Sequence, residues 1–439
     1  MTMDMTIATG IRAIGRVPTR SIGAIACAGA IGTIIEWYDF LIYGTAAALV
    51  FNSQFFPNVD GRVGTLAALG SFAVGFLARP IGGAIFGHFG DRLGRKSMLM
   101  LTMIGMGLST AAIGVLPTYA QIGIWAPALL VLLRVVQGIT LGGEWGGASL
   151  MVLEHAPPDR RGVFGSLVQV GFPVGLVSAS AVFSLVSMLP DADFKAWGWR
   201  IPFLLSVFLV AIGLFVRARL PETPIFERLK ARGQIVRSPF VEMILKNPRS
   251  FLVAAGLKLS EVSWVYMLTV FVVVYVTTKL GMPKFLMLNA ILLGALLELL
   301  TIPLFGHLSD RYGRRPLYFA GVAFTILFAF PLFWLLNTNA AAIVILTMVV
   351  ALNLGHGLMF APESTYFPEL FGSNVRYSGA SLGFQVSAAI GGGFAPIIAT
   401  ALAAYLGGTA GVSIMLILLA LITLAATLFA RETKGEDLI

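Results

Sequence analysis

Long apolar runs alternate with short polar intervals along the whole 439-residue chain. Twelve of these runs are long enough for a helix to cross the hydrocarbon core of a bilayer, which takes about 20 residues. They cover approximately 21–51, 63–87, 97–117, 126–152, 163–189, 201–219, 251–278, 285–306, 316–336, 341–366, 379–405 and 410–430. The longest polar interval, 221–250, follows the sixth run. The pattern therefore predicts six membrane-spanning helices on each side of a central loop.

The fold class that follows is an all-α membrane protein with twelve transmembrane helices in two pseudo-symmetric six-helix bundles. The predicted divisions are a tail at 1–20, an N-terminal bundle at 21–219, a central loop at 220–250, a C-terminal bundle at 251–430 and a tail at 431–439. Because the first apolar run is too long for the core of a signal peptide, we expect it to be retained as the first span.

Basic residues follow this topology. With the N-terminus on one face, that face receives 22 of the 30 lysines and arginines, the other face receives five, and three lie inside runs. Cytoplasmic loops carry such an excess, so we expect both termini in the cytoplasm and a multi-pass protein of the cell inner membrane. The same bias explains the net charge of +9 without a nucleic-acid partner. A chain that is 57% hydrophobic and only 12% charged requires the lipid bilayer as its solvent.

A ten-residue motif occurs at 87–96 and again 219 residues later, at 306–315, with six identical positions. Asp91 and Asp310 can accept hydrogen bonds from helix N-termini or pair with arginines. A basic turn that only fixes topology is one interpretation, but two copies at matched positions favour a gate between duplicated halves. The residues predicted for this gate are Gly87, Asp91, Arg92, Gly94, Arg95, Gly306, Asp310, Arg311, Gly313 and Arg314.

Other segments carry a family resemblance. They are EWYDF at 36–40, RPIGG at 79–83, RVVQG at 134–138, GGEW at 142–145, WGWRIP at 197–202 and LPETP at 220–224. Together with both motif copies they resemble the major facilitator superfamily, and within it the metabolite–proton symporters. That family includes permeases for shikimate, α-ketoglutarate, citrate and proline/betaine, and the chain is most similar to the shikimate-permease branch. The resemblance implies the major facilitator fold, with proton-coupled uptake of a small organic acid by alternating access. It also implies a repeated motif that controls closure and does not contact substrate.

Charges inside the runs cost about 2.5–3.5 kcal/mol each near the bilayer centre by insertion scales, so they are usually paired or line a wet cavity. The basic ones are Arg79, Arg134 and Lys258, and the acidic ones are Glu36, Asp39, Glu144, Glu261 and Glu298, with Glu363 nearer a helix end. Glu36 and Asp39 are three positions apart and share a helix face. Two carboxylates in one site of low dielectric suit a proton carrier, with Asp39 slightly preferred. Static pairing of each with an arginine of span 2 or 4 is the open alternative.

Span 4 places Arg134, Gln137 and Glu144 on one stripe. A buried guanidinium suits two-point capture of a carboxylate, so Arg134 is the preferred substrate ligand. Glu144 would pair with an arginine or take the proton. An Arg134 that only neutralises an acid is the structural alternative. The many glycines of this span favour close helix contacts over ligand binding.

The remaining pathway candidates are Tyr43, Arg79, Trp145, Gln169, Lys258, Glu261, His356 and Gln385. Lys258 and Glu261 are three apart and could neutralise each other. Arg79 could pair with a span 1 acid or face the cavity, and His356 could be a hydrogen-bonded structural residue or a proton relay. The two glutamines could bind substrate hydroxyls, and the two aromatic residues could close the cavity or simply pack.

Other chemistry finds no support in the sequence. A single cysteine excludes an intrachain disulfide and a thiol–metal cluster, and no ATP-binding loop or metalloprotease motif occurs. We therefore expect no enzyme activity, metal or cofactor, and a monomer driven by the proton gradient. Uptake of a zwitterion such as proline or betaine, and a channel or substrate-sensing receptor on the same scaffold, remain alternatives.

Overall fold

Twelve long helices form the protein in a computed structural model that describes residues 19–57 and 61–438. They are α1 Thr19–Ala46, α2 Gly61–Leu93, α3 Arg95–Val115, α4 Trp125–Leu153, α5 Pro158–Val186, α6 Ile201–Ala218, α7 Pro248–Lys279, α8 Lys284–Tyr312, α9 Arg314–Leu336, α10 Ala341–Glu369, α11 Arg376–Leu406 and α12 Ala410–Phe429. The predicted fold class is confirmed. Of the predicted N-terminal tail, residues 1–18 lie outside the described residues.

The helix surfaces match a lipid environment. Eleven helices in the described part of the chain are long and apolar enough to cross a membrane, and α2, at 33 residues, runs between two of them. Leu108, Phe208, Leu300 and Leu327 project outward and are each at least 67% exposed. Lipid tails solvate such side chains as well as a protein core does. The protein is therefore a multi-pass membrane protein.

Several helices contain π-helical segments. These are Ala47–Phe51 at the end of α1, Met267–Phe271 and Tyr275–Lys279 in α7, Ala351–Gly357 in α10, and Ala388–Phe394 in α11. A π-helical turn inserts a residue into the helix and often marks a functional site. The sequence pattern did not reveal these interruptions, because the apolar runs continue through them.

The repeated motif is mostly helical, which corrects the prediction of a short turn. Helix α2 continues to Leu93 and α8 to Tyr312, past the expected ends at 87 and 306. Within the two motif copies, only Gly94 and Gly313 interrupt the helices. Their φ angles of 115° and 106° are conformations that a residue with a side chain rarely adopts. We call the membrane surface that carries residues 87–96 and 306–315 the basic face.

The two halves pack together most extensively along α2 with α11 and α5 with α8, and α10 also contacts α4 and α5. Within the N-terminal half, α2 packs on α4 so closely that a Cβ added to Gly142 would lie 2.6 Å from the backbone nitrogen of Gly83. This contact confirms the interpretation of the span 4 glycines as packing residues. The segment at 220–250 contains two short helices, Pro224–Ala231 and Pro239–Lys246, on the basic face.

Candidate functional site

The halves are joined at the basic face by the first motif copy. Asp91, at the end of α2, accepts hydrogen bonds from the backbone nitrogens of Tyr377 (3.2 Å) and Ser378 (2.9 Å) and from the Ser378 hydroxyl (2.9 Å). These nitrogens belong to the first turn of α11, where the helix dipole favours an anion. The Asp91 carboxylate also lies 3.5 Å from the Arg95 guanidinium.

The second copy makes the equivalent contact between the halves, and we call the contacts of Asp91 and Asp310 the two joints. Asp310, at the end of α8, accepts from the backbone nitrogens of Gly162 (2.7 Å) and Val163 (2.9 Å) in the first α-helical turn of α5, which begins at Arg161 after the 3-10 turn Pro158–Arg160. Its partner Arg314 lies 2.8 Å away. Both roles foreseen for these aspartates, acceptor at a helix N-terminus and partner of an arginine, therefore occur together. Each joint connects one half to the other.

A second layer of charges supports each joint. Glu154 lies 3.5 Å from Arg95 and 3.6 Å from Arg376. In the other half Glu369 lies 3.4 Å from Arg314 and 4.0 Å from Arg161. Each glutamate thus holds one arginine from its own half and one from the opposite half. Arg92 and Arg311, by contrast, are exposed at the surface of the basic face.

Within the N-terminal half, Asp39 is the end of a buried hydrogen-bonded chain. It accepts from Thr110 (2.8 Å) and Ser206 (2.5 Å). The Gln137 amide donates to Thr110 (2.8 Å), and Arg134 donates to Gln137 (2.6 Å). The Arg134 guanidinium also lies over the Tyr43 ring, 4.2 Å from its centroid. The predicted residues Asp39, Gln137 and Arg134 are therefore brought together.

Glu144 lies in a different environment from the rest of the span 4 stripe. It pairs with Arg217 of α6, whose Nη1 lies 3.0 Å from Oε2, and it accepts from Thr102 (2.7 Å). The sequence analysis counted Arg217 among the basic residues of the cytoplasmic face and did not foresee that its side chain is buried. Residue 217 stands at the last turn of α6, and its long side chain reaches back into the bundle, where it is 3% exposed.

The C-terminal half contains a larger charged cluster. Lys258 pairs with Glu261 on its own helix and with Glu363 of α10 at 2.8 Å. The His356 ring lies between two carboxylates, with Nε2 3.0 Å from Glu261 and Nδ1 2.7 Å from Glu298 of α8. The expected neutralisation of Lys258 by Glu261 is therefore present, within a set of five groups.

The predicted neutral ligands instead connect the halves. Gln169 accepts from the Trp145 indole (2.8 Å) and donates to the carbonyl of Phe360 in the opposite half (2.8 Å). Gln385 of α11 donates to the Gly142 carbonyl of α4 (3.3 Å). Trp145 stacks on Phe384 across the same boundary, with ring centroids 3.9 Å apart. In this conformation these side chains close the centre of the molecule, whereas Tyr43 is fully buried with its hydroxyl 2.7 Å from Ser71.

A narrow chamber of about 10 Å³, which in this conformation holds about one water molecule, lies between the halves beside these contacts. Its walls include Trp37, Arg79, Lys258, Glu261, Tyr266, His356, Phe360 and Phe384. Arg79 from one half and Lys258 from the other are thus the cations at this chamber, and Arg134 is not among its lining residues. Arg79 lies over the rings of Phe40 (4.5 Å) and Phe76 (4.9 Å). Glu36 is 3% exposed and lies within electrostatic reach of Arg79.

A wider cavity of about 470 Å³ lies next to the chamber, on the side away from the basic face. The two spaces share Trp37, Val265 and Tyr266 as walls. The cavity lies between α1, α5, α7 and α8. It reaches Thr45 and Ser184, near the ends of α1 and α5 that lie away from the basic face. The structure therefore combines a closed basic face with space for a small molecule on the other side.

Sequence reasoning did not select Glu298 as a pathway residue, although it identified the acid within its span. One signal was available. With the repeat spacing of 219 residues, Glu298 is the counterpart of Arg79 and His356 is the counterpart of Gln137. The other three residues of these two pairs were already predicted as pathway residues, so the repeat pointed to Glu298.

The comparisons with known proteins agree with this architecture. A model of the Major Facilitator Superfamily matches residues 29–392. The chain is 43% identical to the Shikimate transporter of Escherichia coli (strain K12), over 98% of this chain and all of that one. It is 40% identical to the Inner membrane metabolite transport protein YhjE of the same organism, over 96% and 97%. With the Escherichia coli Proline/betaine transporter it shares 37% identity over 83% of this chain and 75% of the relative.

Solved structures share the fold. The proton:xylose symporter XylE bound to 6-bromo-6-deoxy-D-glucose gives a TM-score of 0.75 at 19% identity, covering 96% of this chain and 98% of that one. An inward open conformation of XylE from E. coli gives 0.61 at 16% identity, covering 95% and 98%.

Proposed function

Because the chain belongs to the Major Facilitator Superfamily and is a metabolite transporter, not an enzyme, we propose that it imports a small organic acid together with protons. The observation that carries this proposal is the chamber between the halves, where Arg79 and Lys258 supply one cation each. A carboxylate bound between them would contact both halves at once. Its binding would then favour closure around it, as alternating access requires.

Shikimate, a hydroxylated ring carboxylate, is the substrate we propose to test first. A guanidinium and an ammonium suit its carboxylate, and the rings of Trp37 and Tyr266 suit a flat apolar face. The relative named Shikimate transporter, aligned over its full length, supports this choice. We propose the basic face as cytoplasmic, with both termini there, and the inner membrane as the location.

A zwitterion such as proline or betaine is the second candidate. The chamber places cations against aromatic rings, since Lys258 Nζ lies 4.1 Å from the centroid of Phe384 and 5.0 Å from that of Phe360. Rings in this arrangement also attract the quaternary ammonium of betaine. The likeness to the Proline/betaine transporter supports this alternative.

The test is uptake of radiolabelled shikimate into proteoliposomes containing the purified protein. We expect accumulation above the external concentration under an inward proton gradient, and only equilibration after a protonophore is added. Accumulation that continues after the gradient collapses would refute proton symport. Uptake of labelled betaine without uptake of shikimate would favour the second candidate, and no uptake of either would reject both substrates.

A further inference from the structure

Five titratable side chains of α7, α8 and α10 form one buried chain of contacts. In order along it they are Glu298, His356, Glu261, Lys258 and Glu363, each at most 2% exposed. His356 belongs to the π-helical segment Ala351–Gly357, which directs its ring between α7 and α8. The middle of the chain, at His356, Glu261 and Lys258, lines the chamber, whereas the terminal residues Glu298 and Glu363 are not among the lining residues.

The contacts of His356 require one proton more than a neutral imidazole and two ionised carboxylates carry. Nδ1 is 2.7 Å from a Glu298 oxygen and Nε2 is 3.0 Å from a Glu261 oxygen. A neutral imidazole carries one N–H, and ionised carboxylates only accept, so these three groups could satisfy one of the two contacts. Both contacts are satisfied only when the ring is doubly protonated or one carboxyl is protonated. In either form the trio of Glu298, His356 and Glu261 contains one additional proton.

The surroundings of the trio stabilise its protonated form. Lys258 is the one ammonium of the chain of contacts and serves both Glu261 and Glu363. Glu298 Oε2 is buried and has no hydrogen-bond partner among the described residues, which penalises an ionised carboxylate there. From the other packed helices, Arg79 of α2 and Glu36 of α1 are the charged groups nearby, while α5 and α9 contribute the rings of Phe172 and Tyr318.

The duplicated half provides a built-in comparison. The repeat spacing that places Glu298 and His356 in the C-terminal half places Arg79 and Gln137 at the corresponding positions of the N-terminal half. An arginine does not lose its proton in proteins and an amide does not titrate. Only the C-terminal half therefore has exchangeable protons at both positions.

We propose that Glu298, His356 and Glu261 form the proton-loading site of this transporter, and that Lys258 couples it to the substrate. This inference rests on the proposed proton symport. A substrate carboxylate that binds Lys258 withdraws the ammonium from Glu261. The proton then moves from His356 to Glu261: the Nε2–H bond breaks, an Oε1–H bond forms, the ring becomes neutral and the carboxylate becomes a carboxylic acid. Because the trio loses the positive charge beside it, it holds its additional proton more tightly while substrate is bound, so substrate and proton bind cooperatively and leave together.

The test compares Glu298→Gln with wild type in proteoliposomes, using shikimate as the probe. The amide keeps the size of the side chain and can donate to His356, so the extra proton is no longer required. We expect loss of accumulation under a proton gradient and retention of counterflow exchange, in which labelled shikimate enters against unlabelled shikimate inside. Glu298→Asp should restore accumulation in part, and Glu227→Gln, at an exposed glutamate, should behave as wild type. Accumulation by Glu298→Gln equal to that of wild type would overturn the proposal.

A second measurement does not depend on transport. Protein in detergent is titrated from about pH 6, above the range in which an ordinary glutamate with a pKa of about 4.3 releases its proton, to alkaline pH with a pH-indicating dye, and released protons are counted. Over this range we expect wild type to release one proton more than Glu298→Gln, because the variant does not need the additional one, whereas Glu227→Gln should release as many as wild type. Equal release would overturn the inference. If wild type accumulates no shikimate but the difference in release is found, the symport proposal fails while the protonated trio stands. Should Glu298→Gln not fold, His356→Gln replaces it with the same expectations.

Discussion

Three buried arginines of the N-terminal half have three different surroundings. Arg217 is neutralised by Glu144, Arg134 donates to Gln137 within the Asp39 chain, and Arg79 lines the chamber over two phenylalanine rings. The residue type alone did not distinguish them. Their positions relative to the chamber between the halves distinguish them. Because Arg79 lines the chamber and Arg134 does not, the proposed substrate contact is Arg79 in place of Arg134.

Substituting Arg79 and Arg134 by lysine separates their roles. For Arg79→Lys we expect weaker shikimate binding by about ten- to a hundredfold, since losing a buried charge-assisted hydrogen bond costs about 1.5–3 kcal/mol. For Arg134→Lys we expect a lower unfolding temperature with a smaller change in affinity, because its bond to Gln137 is internal. Calorimetry and thermal unfolding of both variants measure this. A larger loss of affinity in Arg134→Lys than in Arg79→Lys would restore the sequence-based choice.

At the scale of elements, the ends of α2 and α8 act as matched contacts on the first turns of α11 and α5. Each contact needs an aspartate, a glycine with positive φ that turns the chain into the next helix, and a pair of backbone N–H groups that have no partner within their own helix. Because both joints cross between the halves, breaking them is required for the basic face to open.

We expect Asp91→Asn to slow shikimate turnover far more than it weakens equilibrium binding. The amide loses the charge that faces the α11 dipole, so the balance between open and closed states shifts, whereas the chamber is distant. Asp310→Asn should act in the same way. Uptake rates and calorimetric affinities are compared with those of Asp159→Asn, an exposed control whose side chain is 79% accessible. Affinity lost in proportion to turnover would argue for a substrate role.

On the scale of the whole molecule, the segment 435–438, which follows the C-terminal half, extends across to the N-terminal half at the basic face. Arg161 donates to the Glu436 carbonyl (2.6 Å), and Arg376 donates to that of Leu438 (2.8 Å). The Leu438 side chain is 7% exposed and packs against Leu153 and Ile225. This segment therefore adds to the two joints in holding the basic face closed.

Removing residues 435–439 should loosen that face. We expect faster backbone hydrogen exchange in the first turns of α5 and α11, because two arginines lose their acceptors and an apolar contact is lost. Exchange in α12 serves as the internal reference. Leu438→Ala, which keeps the carbonyl acceptors, should give a smaller increase. Unchanged exchange in α5 and α11 after the deletion would show that the segment does not stabilise closure.

The sequence by itself determined the twelve spans, the duplicated halves and the repeated motif. Lipid imposes length and charge rules that can be read locally, without knowing which helices are neighbours. Only the tertiary structure decided the partners of the buried charges. Glu144 finds Arg217 at a separation of 73 positions, and Lys258 finds Glu363 at 105. Such pairs depend on which helix faces meet and how far a long side chain reaches, and no local pattern specifies either.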